Sequence, residues 1–465
     1  MKHIASIDAT PGLGGGAVTR GAVVARIERL PPNAMQVRAR LLVGTATFFD
    51  GFDAIAIATT LPLLIKLWAL SPVQIGLLIS GSAIGQIVGA LLFPQLAQRY
   101  GRLRAIAWST GLIGITSLLC AGAGSFEVFL LLRVVQGLGL GGELPVAASY
   151  INEITRAHGR GRFVLLYEVV YPIGLLVSTV LGAWLVPRVG WESMYLLGGL
   201  PLLLAFVLRA LVPESPRWLA ERGRMAEAEA ALRRFEAGAR GPLPPVRDAD
   251  HFEQLMREQP RRSLRDLLGP QYLRRSVVVA LLWASCGFIQ TGLTAWLPSI
   301  YQAVHKIPLQ LALNLAIGAS ALGVVGSLVS ALTVDRYGRK PVICIAFVLC
   351  AATLGLAGLL VHHSVYLFAG LCSLAFGLLA CGFITAFVYT PELYPTSIRP
   401  LGVGLGGVWA KIAAIVAPVT VTSLTAGGRV DLAFYLLGAV PLLAAATVAL
   451  WGVETRGKVL EELQA

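Results

Sequence analysis

The chain alternates between long apolar runs and short polar segments. Twelve runs each hold roughly 20 predominantly apolar residues, the length that crosses a bilayer as an α-helix. A long polar segment at 213–275 separates the sixth run from the seventh. The pattern predicts an all-α integral membrane protein of twelve transmembrane helices. We place them at 39–66, 73–97, 103–122, 127–152, 163–187, 193–212, 276–302, 309–333, 341–361, 366–390, 400–425 and 431–452.

The two groups of six runs share short motifs. QRYGRLR begins at Gln98 and DRYGRKP begins at Asp335, each after the second run of its group. Glu153 and Glu392 each end the fourth run of their group. Such repeats are typical of membrane proteins whose two halves move around a central site.

The repeat divides the chain into five parts. We expect residues 1–36 to form a disordered N-terminal tail, because they are mixed and Gly-rich. An Arg-, Glu- and Ala-rich stretch within the linker predicts an amphipathic helix in water or at the interface. The other parts are a six-helix bundle at 37–212, the linker at 213–275, a second bundle at 276–453 and a C-terminal tail at 454–465.

Composition and charge agree with a membrane location. Only 14% of the 465 residues are charged and 56% are hydrophobic, whereas soluble domains carry roughly 25% charged residues. The net charge of +13 resides largely in alternate loops, which predicts that those loops are cytoplasmic. We therefore expect a multi-pass inner-membrane protein with both termini and the linker in the cytoplasm, in contact with lipid and not with nucleic acid.

Several features argue against an enzyme or a metal centre. The six cysteines lie inside apolar runs without metal-ligand spacing, so we interpret them as packing residues. The six histidines lie in loops or at run ends. GLGLGG at 137–142 fits a dinucleotide fingerprint, but it lies within an apolar helix, where small residues let helices approach closely. We predict no cofactor and no metal.

Several motifs in order resemble the major facilitator superfamily, in its branch of sugar porters and metabolite–proton symporters. They are RVVQGLGLGG at 133–142, PESPRWL at 213–219, PELYPTSIRPLGVG at 391–404 and ETRGKVLEEL at 454–463. The resemblance covers about 38–463. It implies two pseudo-symmetric six-helix bundles that alternate access to a central site. We expect a monomer.

The family's charged loop motif implies a cytoplasmic gate. The second half keeps its charged core, whereas the first half has Pro94 and Gln98 at positions where Gly and Asp are usual. We expect Glu153 to pair with the arginines at 160–162 and Glu392 with Arg399. Plain surface ion pairs that only fix topology are the alternative. The gating candidates are Arg99, Arg102, Glu153, Arg162, Glu214, Arg217, Asp335, Arg336, Arg339, Glu392 and Arg399.

Four acidic residues inside the predicted helices are candidates for proton coupling, because charge within a bilayer is costly and therefore tends to be functional. Asp50 and Asp53 are three residues apart on one helix face and cannot both be ionised at low cost. The resembling symporters carry a similar acidic motif. Glu143 and Glu168 are the other two. Structural hydrogen bonds or pairing with a cation are the alternatives.

Lys411 is the main indication of the substrate. It lies about eleven residues into the eleventh run, or roughly 16 Å from the helix end, near mid-bilayer. Organic-anion members of the superfamily carry a cation in this region, which implies a carboxylate partner. An internal salt bridge is the alternative. The other binding candidates are Gln290, Trp296, Tyr171, Tyr389 and Trp409.

The sequence thus predicts a proton-coupled symporter that imports a small organic anion, such as an aromatic or heteroaromatic carboxylate. Glu168 stands where sugar porters carry a sugar-binding Gln, and this departure disfavours sugars. A sugar or polyol porter, an organic-cation symporter, and a non-transporting membrane sensor remain as alternatives.

Overall fold

A computed structural model describes residues 19–156, 167–239, 241–246, 249–258, 264–394 and 398–456. Within these ranges, twelve helices are long and apolar enough to cross a membrane, as the hydrophobic pattern predicts. They form two six-helix halves, which confirms the expected all-helical fold.

A short helix, α1 (Arg20–Glu28), precedes the first half. The spanning helices of this half are α2 (Ala34–Trp68), α3 (Pro72–Tyr100), α4 (Arg102–Ala121), α5 (Phe126–Glu153), α6 (Val170–Val189), and the broken pair α7 (Glu192–Leu197) and α8 (Pro201–Leu211). The linker contains α9 (Pro216–Glu221), α10 (Met225–Ala237), α11 (Ala249–Glu258) and α12 (Leu264–Leu267).

The second half begins with α13 (Leu273–Thr294), which continues after a break as α14 (Leu297–His305). It is completed by α15 (Leu309–Tyr337), α16 (Arg339–Leu359), α17 (Val365–Glu392), α18 (Arg399–Ala426) and α19 (Val430–Trp451). We call the end of the molecule near the linker helices the linker end, and the opposite end the far end.

Two of the predicted continuous runs are broken helices. Helix α7 ends at Leu197 and α13 ends at Thr294, each four residues before a proline, Pro201 and Pro298. A proline lacks the N–H that would bond to that carbonyl four residues earlier, and its ring clashes with it. The break lets α14 turn away from the axis of α13 and contact α2 of the first half.

The N-terminal segment is not wholly disordered, contrary to the sequence-based expectation. Helix α1 packs on the linker helices. Arg29 pairs with Glu236 at 2.7 Å, and Arg217 pairs with Glu28 at 2.7 Å. Arg26 also pairs with Glu236; burial opposes ionisation of this acid, but the two arginines hold the pKa of Glu236 below its usual value. Ion pairing therefore ties the chain before the first spanning helix to the linker.

Small residues bring spanning helices of the first half into backbone contact. A Cβ added to Gly141 on α5 would lie 2.0 Å from the carbonyl oxygen of Gln86 on α3. One added to Gly137 would lie 2.1 Å from the carbonyl oxygen of Ser82. The GLGLGG run therefore serves close helix packing, as predicted.

The two halves meet mainly along two antiparallel helix pairs, α3 with α18 and α6 with α15. Ser80 donates to the carbonyl oxygen of Ile415 at 2.9 Å, and the hydroxyls of Thr179 and Ser320 are 2.7 Å apart. These contacts lie toward the far end. Nearer the linker end, a Cβ on Gly404 or Gly407 of α18 would meet nothing within 4 Å. The molecule is thus closed at its far end.

The contact between α3 and α5 predicts that alanine is destabilising at one glycine and tolerated at another. We expect Gly141→Ala to lower the thermal unfolding temperature in detergent, since overpacking costs about 1–3 kcal/mol. Gly355→Ala is the matched control, because Gly355 also lies inside a spanning helix but its added methyl meets nothing within 4 Å. Alanine there should be neutral or stabilising by about 0.5–1 kcal/mol. Equal melting temperatures for the two variants would contradict the packing argument.

Candidate functional site

The acidic residues of α2 lie where this helix touches α6. A Cβ on Gly51 would lie 2.3 Å from the carbonyl oxygen of Tyr171, and one on Gly174 would lie 2.2 Å from that of Phe48. Glycine at both positions lets the two backbones touch. This contact fixes Asp50 and Asp53, which flank Gly51, near the middle of the first half.

Asp53 forms a buried ion pair. Both of its carboxylate oxygens are 2.7 Å from Nη1 of Arg133 on α5, and Arg133 also donates to Gln136 Oε1 at 2.7 Å. Arg133 is only 2% exposed and Asp53 only 5%. A lone buried charge would be very costly here, so the pairing of the two side chains compensates for their burial.

Asp50 does not share that partner. It is half-buried and lies within electrostatic reach of Lys411 on α18, in the other half. Its carboxylate also interacts electrostatically with those of Glu143 and Glu168. The two aspartates of α2 therefore have different environments, one fixed by an arginine and one facing the gap between the halves.

Glu143 is fully buried on α5. Thr47 of α2 donates to its Oε1 at 3.0 Å and shares a short hydroxyl–hydroxyl bond with Tyr167. The second carboxylate oxygen, Oε2, has no hydrogen-bond partner within the described part of the chain. Glu168 is also buried, beside Tyr167 in sequence. With Asp50, these residues make a cluster of three carboxyl groups that cannot all be ionised at low cost.

Lys411 reaches across from the second half to the first. Its ammonium donates to Oε1 of Gln86 on α3, and the Gln86 amide nitrogen donates to Ser82 Oγ at 3.1 Å. Its cationic head therefore lies between the two halves with an amide oxygen as its hydrogen-bonded neighbour. Sequence reasoning missed Gln86, although a lone amide within the small-residue run GSAIGQ of a membrane helix is a usable signal.

A small cavity lies between the halves and is lined by residues of α6, α13, α15 and α17. Gln290 of α13 donates to the Tyr171 hydroxyl at 2.8 Å across it, and aromatic rings of α17, Phe376 and Phe383, complete the wall. Trp296 is buried at the break before α14, and its indole Nε1 has no partner among the described residues. The cavity thus combines an apolar wall with a few polar groups, as small-molecule sites do.

Two predicted binding residues are placed elsewhere. Tyr389 is fully buried near the linker end, where its hydroxyl donates to the Val453 carbonyl oxygen at 3.0 Å. Trp409 is 41% exposed and shares a face of α18 with the exposed Val416, two turns further on. Neither lines the cavity, so neither enters the proposals below.

The linker end carries the same charged arrangement twice. In the first half, Arg102 at the start of α4 pairs with Glu153 at 2.9 Å, and Glu214 accepts the backbone N–H of Arg102 at 3.0 Å. In the second half, Arg339 at the start of α16 pairs with Glu392 at 3.0 Å. Glu454 accepts its backbone N–H, also at 3.0 Å. A carboxylate at a helix N-terminus is favoured by the exposed N–H groups and the helix dipole. Burial nevertheless raises the pKa of Glu214.

A glycine makes each of these carboxylate contacts possible. Gly101 and Gly338 have φ values of +115° and +97°. A Cβ at these positions would lie 2.4 Å from an oxygen of Glu214 and 2.7 Å from one of Glu454. Glycine is therefore required at each of these positions for two reasons: its φ is positive, and a Cβ would clash with the nearby carboxylate.

Among the described residues, the gating acids have partners other than the ones expected. Glu153 pairs with Arg102, and Glu392 pairs with Arg339, because each arginine begins the helix packed beside the end of the helix that carries the acid. Asp335 also contacts Arg339, at 3.2 Å. Arg162 and the side chain of Arg399 lie outside the described residues. Arg99 and Arg336 are exposed and lie over the rings of Tyr100 and Tyr337.

This arrangement predicts that two neighbouring arginines of one motif contribute differently to stability and transport. We expect Arg339→Met to lower the melting temperature and the transport rate, because it leaves the half-buried Glu392 without its cation, at a cost of about 1–3 kcal/mol. Arg336→Met, which removes an exposed charge from the same loop, should change neither. Thermal unfolding and uptake measured side by side test this, and equal effects of the two changes would contradict it.

Comparisons with known proteins agree with this geometry. The model of the family described as "Sugar (and other) transporter" matches residues 37–465. The chain is 32% identical to the niacin transporter NiaP of Acinetobacter baylyi, over 95% of this chain and 99% of that protein. It is 28% identical to organic cation/carnitine transporter 7 of Arabidopsis thaliana, over 86% of this chain and 88% of that protein.

A solved structure shows the same fold. It is the xylose transporter XylE from E. coli in a partially occluded inward-open conformation, which matches with a TM-score of 0.76 at 20% identity and covers 92% of this chain and 100% of that one. With a family match over nearly its whole length and twelve helices in this arrangement, the chain belongs to the sugar (and other) transporter family of the major facilitator superfamily and is a membrane transporter, not an enzyme.

Proposed function

We propose that the protein is a proton-coupled symporter that imports a small heteroaromatic carboxylate, of which niacin is the model compound, by alternating access. The observation that carries the proposal is the position of Lys411, whose ammonium lies between the halves near mid-membrane and is bonded to a neutral amide. No carboxylate among the described residues forms an ion pair with this ammonium, and a buried cation without such a partner is suited to bind an anionic substrate.

The residues that line the cavity suit the ring of such a molecule. Phe376 and Phe383 supply apolar faces for a flat ring, and the Tyr171 hydroxyl, which accepts from Gln290, can donate to a ring nitrogen. The relative named as a niacin transporter supports this substrate class. A sugar would need many hydrogen-bond partners, whereas the polar groups that line this cavity are few. We assign substrate binding to Lys411, Gln290 and Tyr171, with Trp296 at the break next to the far-end closure.

Proton coupling is assigned to the acids of the first half. In the present state, which is closed at the far end, Asp53 is bonded to Arg133. We propose that Asp53 takes up a proton when the far end is open and water reaches this pair, and that Arg133 favours release of this proton when the linker end is open. The carboxyl groups of Asp50, Glu143 and Glu168 cannot all be ionised at low cost. Their remaining negative charge sets the electrostatic potential around Lys411.

Orientation follows from the charged loops. Arginines concentrate at the linker end, which we assign to the cytoplasm on the positive-inside pattern. Both described ends of the chain, at residues 19 and 456, lie there. The far end then faces outward in the inner membrane, and the present state is the one that faces the cytoplasm. We propose a monomer as the transporting unit, because each chain contains a complete central site.

The substrate assignment predicts a specific effect of removing one charge. In proteoliposomes that contain a pH dye, nicotinate should acidify the lumen through the wild-type protein. Lys411→Met should abolish the signal, whereas Lys411→Arg should retain part of it, because the positive charge remains. Lys66→Met is the matched control, since Lys66 is exposed in the last turn of α2. The alternative substrates are sugars and organic cations, and organic cations appear in the name of the Arabidopsis relative. If one of these acidifies the lumen and the signal survives Lys411→Met, Lys411 is instead a structural residue.

The coupling assignment predicts that replacing the two aspartates of α2 has different effects on proton coupling. Asp53→Asn mimics the protonated acid, so it should abolish proton-driven accumulation of nicotinate but keep exchange of labelled for unlabelled nicotinate. Retained exchange also shows that the variant folds. Asp50→Asn should keep proton-driven accumulation and lower the KM for nicotinate, because it removes a carboxylate that competes for Lys411. Loss of coupling in Asp50→Asn alone would contradict this assignment.

A further inference from the structure

We infer that Gln86 is a positioning residue for carboxylate recognition: it holds the Lys411 ammonium between the two halves without neutralising it. The inference rests on the proposed function and names a residue that acts through Lys411. It starts from the hydrogen bond between these two side chains, which joins the two halves of the molecule.

Both the side chain and the backbone of Gln86 are held in place. Its nitrogen donates to Ser82 Oγ at 3.1 Å, and Ser82 is only 4% exposed. This bond turns the amide oxygen, and not the nitrogen, toward Lys411. Its backbone is fixed as well, because Gly141 of α5 packs directly against the Gln86 carbonyl. Gln86 therefore offers an acceptor at a defined place in the first half.

Charge explains why the residue is an amide. An ammonium has three donors and no acceptor. One donor is taken by Gln86 Oε1, and the other two have no hydrogen-bond partner within the described part of the chain. A neutral acceptor leaves the full positive charge for an arriving anion, whereas a carboxylate at the same place would form an ion pair with Lys411 and compete with the substrate. Without any acceptor, the flexible side chain would turn toward Asp50, with which it already interacts electrostatically.

The test compares two variants of nearly equal size in nicotinate uptake by proteoliposomes. Gln86→Glu should raise the KM at least about tenfold at about pH 7.5, with Vmax little changed, because the new carboxylate pairs with Lys411. The rise should persist at about pH 5.5, because Glu ordinarily has a pKa of about 4.3 and the neighbouring ammonium favours its ionised form further. Gln86→Met, which has no charge and no strong acceptor, should raise the KM several-fold at both pH values.

The outcomes separate this inference from the proposed function. If the wild-type protein transports no carboxylate, the proposed function fails. If it does, and Gln86→Glu has the wild-type KM at both pH values or loses Vmax alone, Gln86 does not position Lys411. If Gln86→Glu does not fold, Gln86→Met decides: a raised KM with unchanged Vmax supports the inference, and a wild-type KM overturns it.

Discussion

The cost of holding charge away from water governs this transporter. An ionisable side chain in the middle of a membrane costs about 2.5–3.5 kcal/mol on insertion scales. The structure meets this cost in two ways. Asp53 and Arg133 neutralise each other within the first half, whereas Lys411 reaches a neutral amide across the gap between the halves. In the proposed mechanism, the first solution gives an ion pair that takes up a proton, and the second leaves a positive charge for an anion.

Rigid halves make those charges useful. Alternating access moves one half against the other, so each half must keep its own side chains in place. Backbone contacts at Gly51, Gly137 and Gly141 hold α2, α3, α5 and α6 together around the acids and Gln86. At the linker end, the repeated contacts of Glu214 and Glu454 with the first N–H groups of α4 and α16 tie helix ends within each half. The contacts between the halves are fewer and lie toward the far end, and these are the ones that must separate.

Much of the fold could be predicted from the sequence, because apolar length and loop charge determine how a chain crosses a bilayer. The helix breaks could not. Pro201 and Pro298 follow breaks, yet Pro62, Pro145 and Pro418 lie inside continuous helices. Which proline breaks a helix depends on whether neighbouring helices support the freed carbonyl groups, and a single sequence does not show this.

The site was predicted in its charges but not in its pairings. Lys411 and the four acids stand out because ionisable residues are rare in apolar runs. Which side chains pair depends on which helices are neighbours and on how each helix is rotated about its axis. The sequence does not show this for the pairs Asp53–Arg133, Lys411–Gln86 and Glu153–Arg102. The order in helix α1 was missed for a similar reason, because its stability comes from ion pairs with linker residues some 200 positions away.

The most direct test of the account is the position of a bound carboxylate. Crystals of the protein with 5-bromonicotinate would locate the ligand by the anomalous signal of its bromine. We predict the ring between the aromatic side chains of α17 and the Gln290–Tyr171 pair, with its carboxylate at hydrogen-bond distance, about 3 Å, from the Lys411 ammonium. A ligand that lies in this cavity with its carboxylate turned away from Lys411, or that binds outside it, would contradict the central claim.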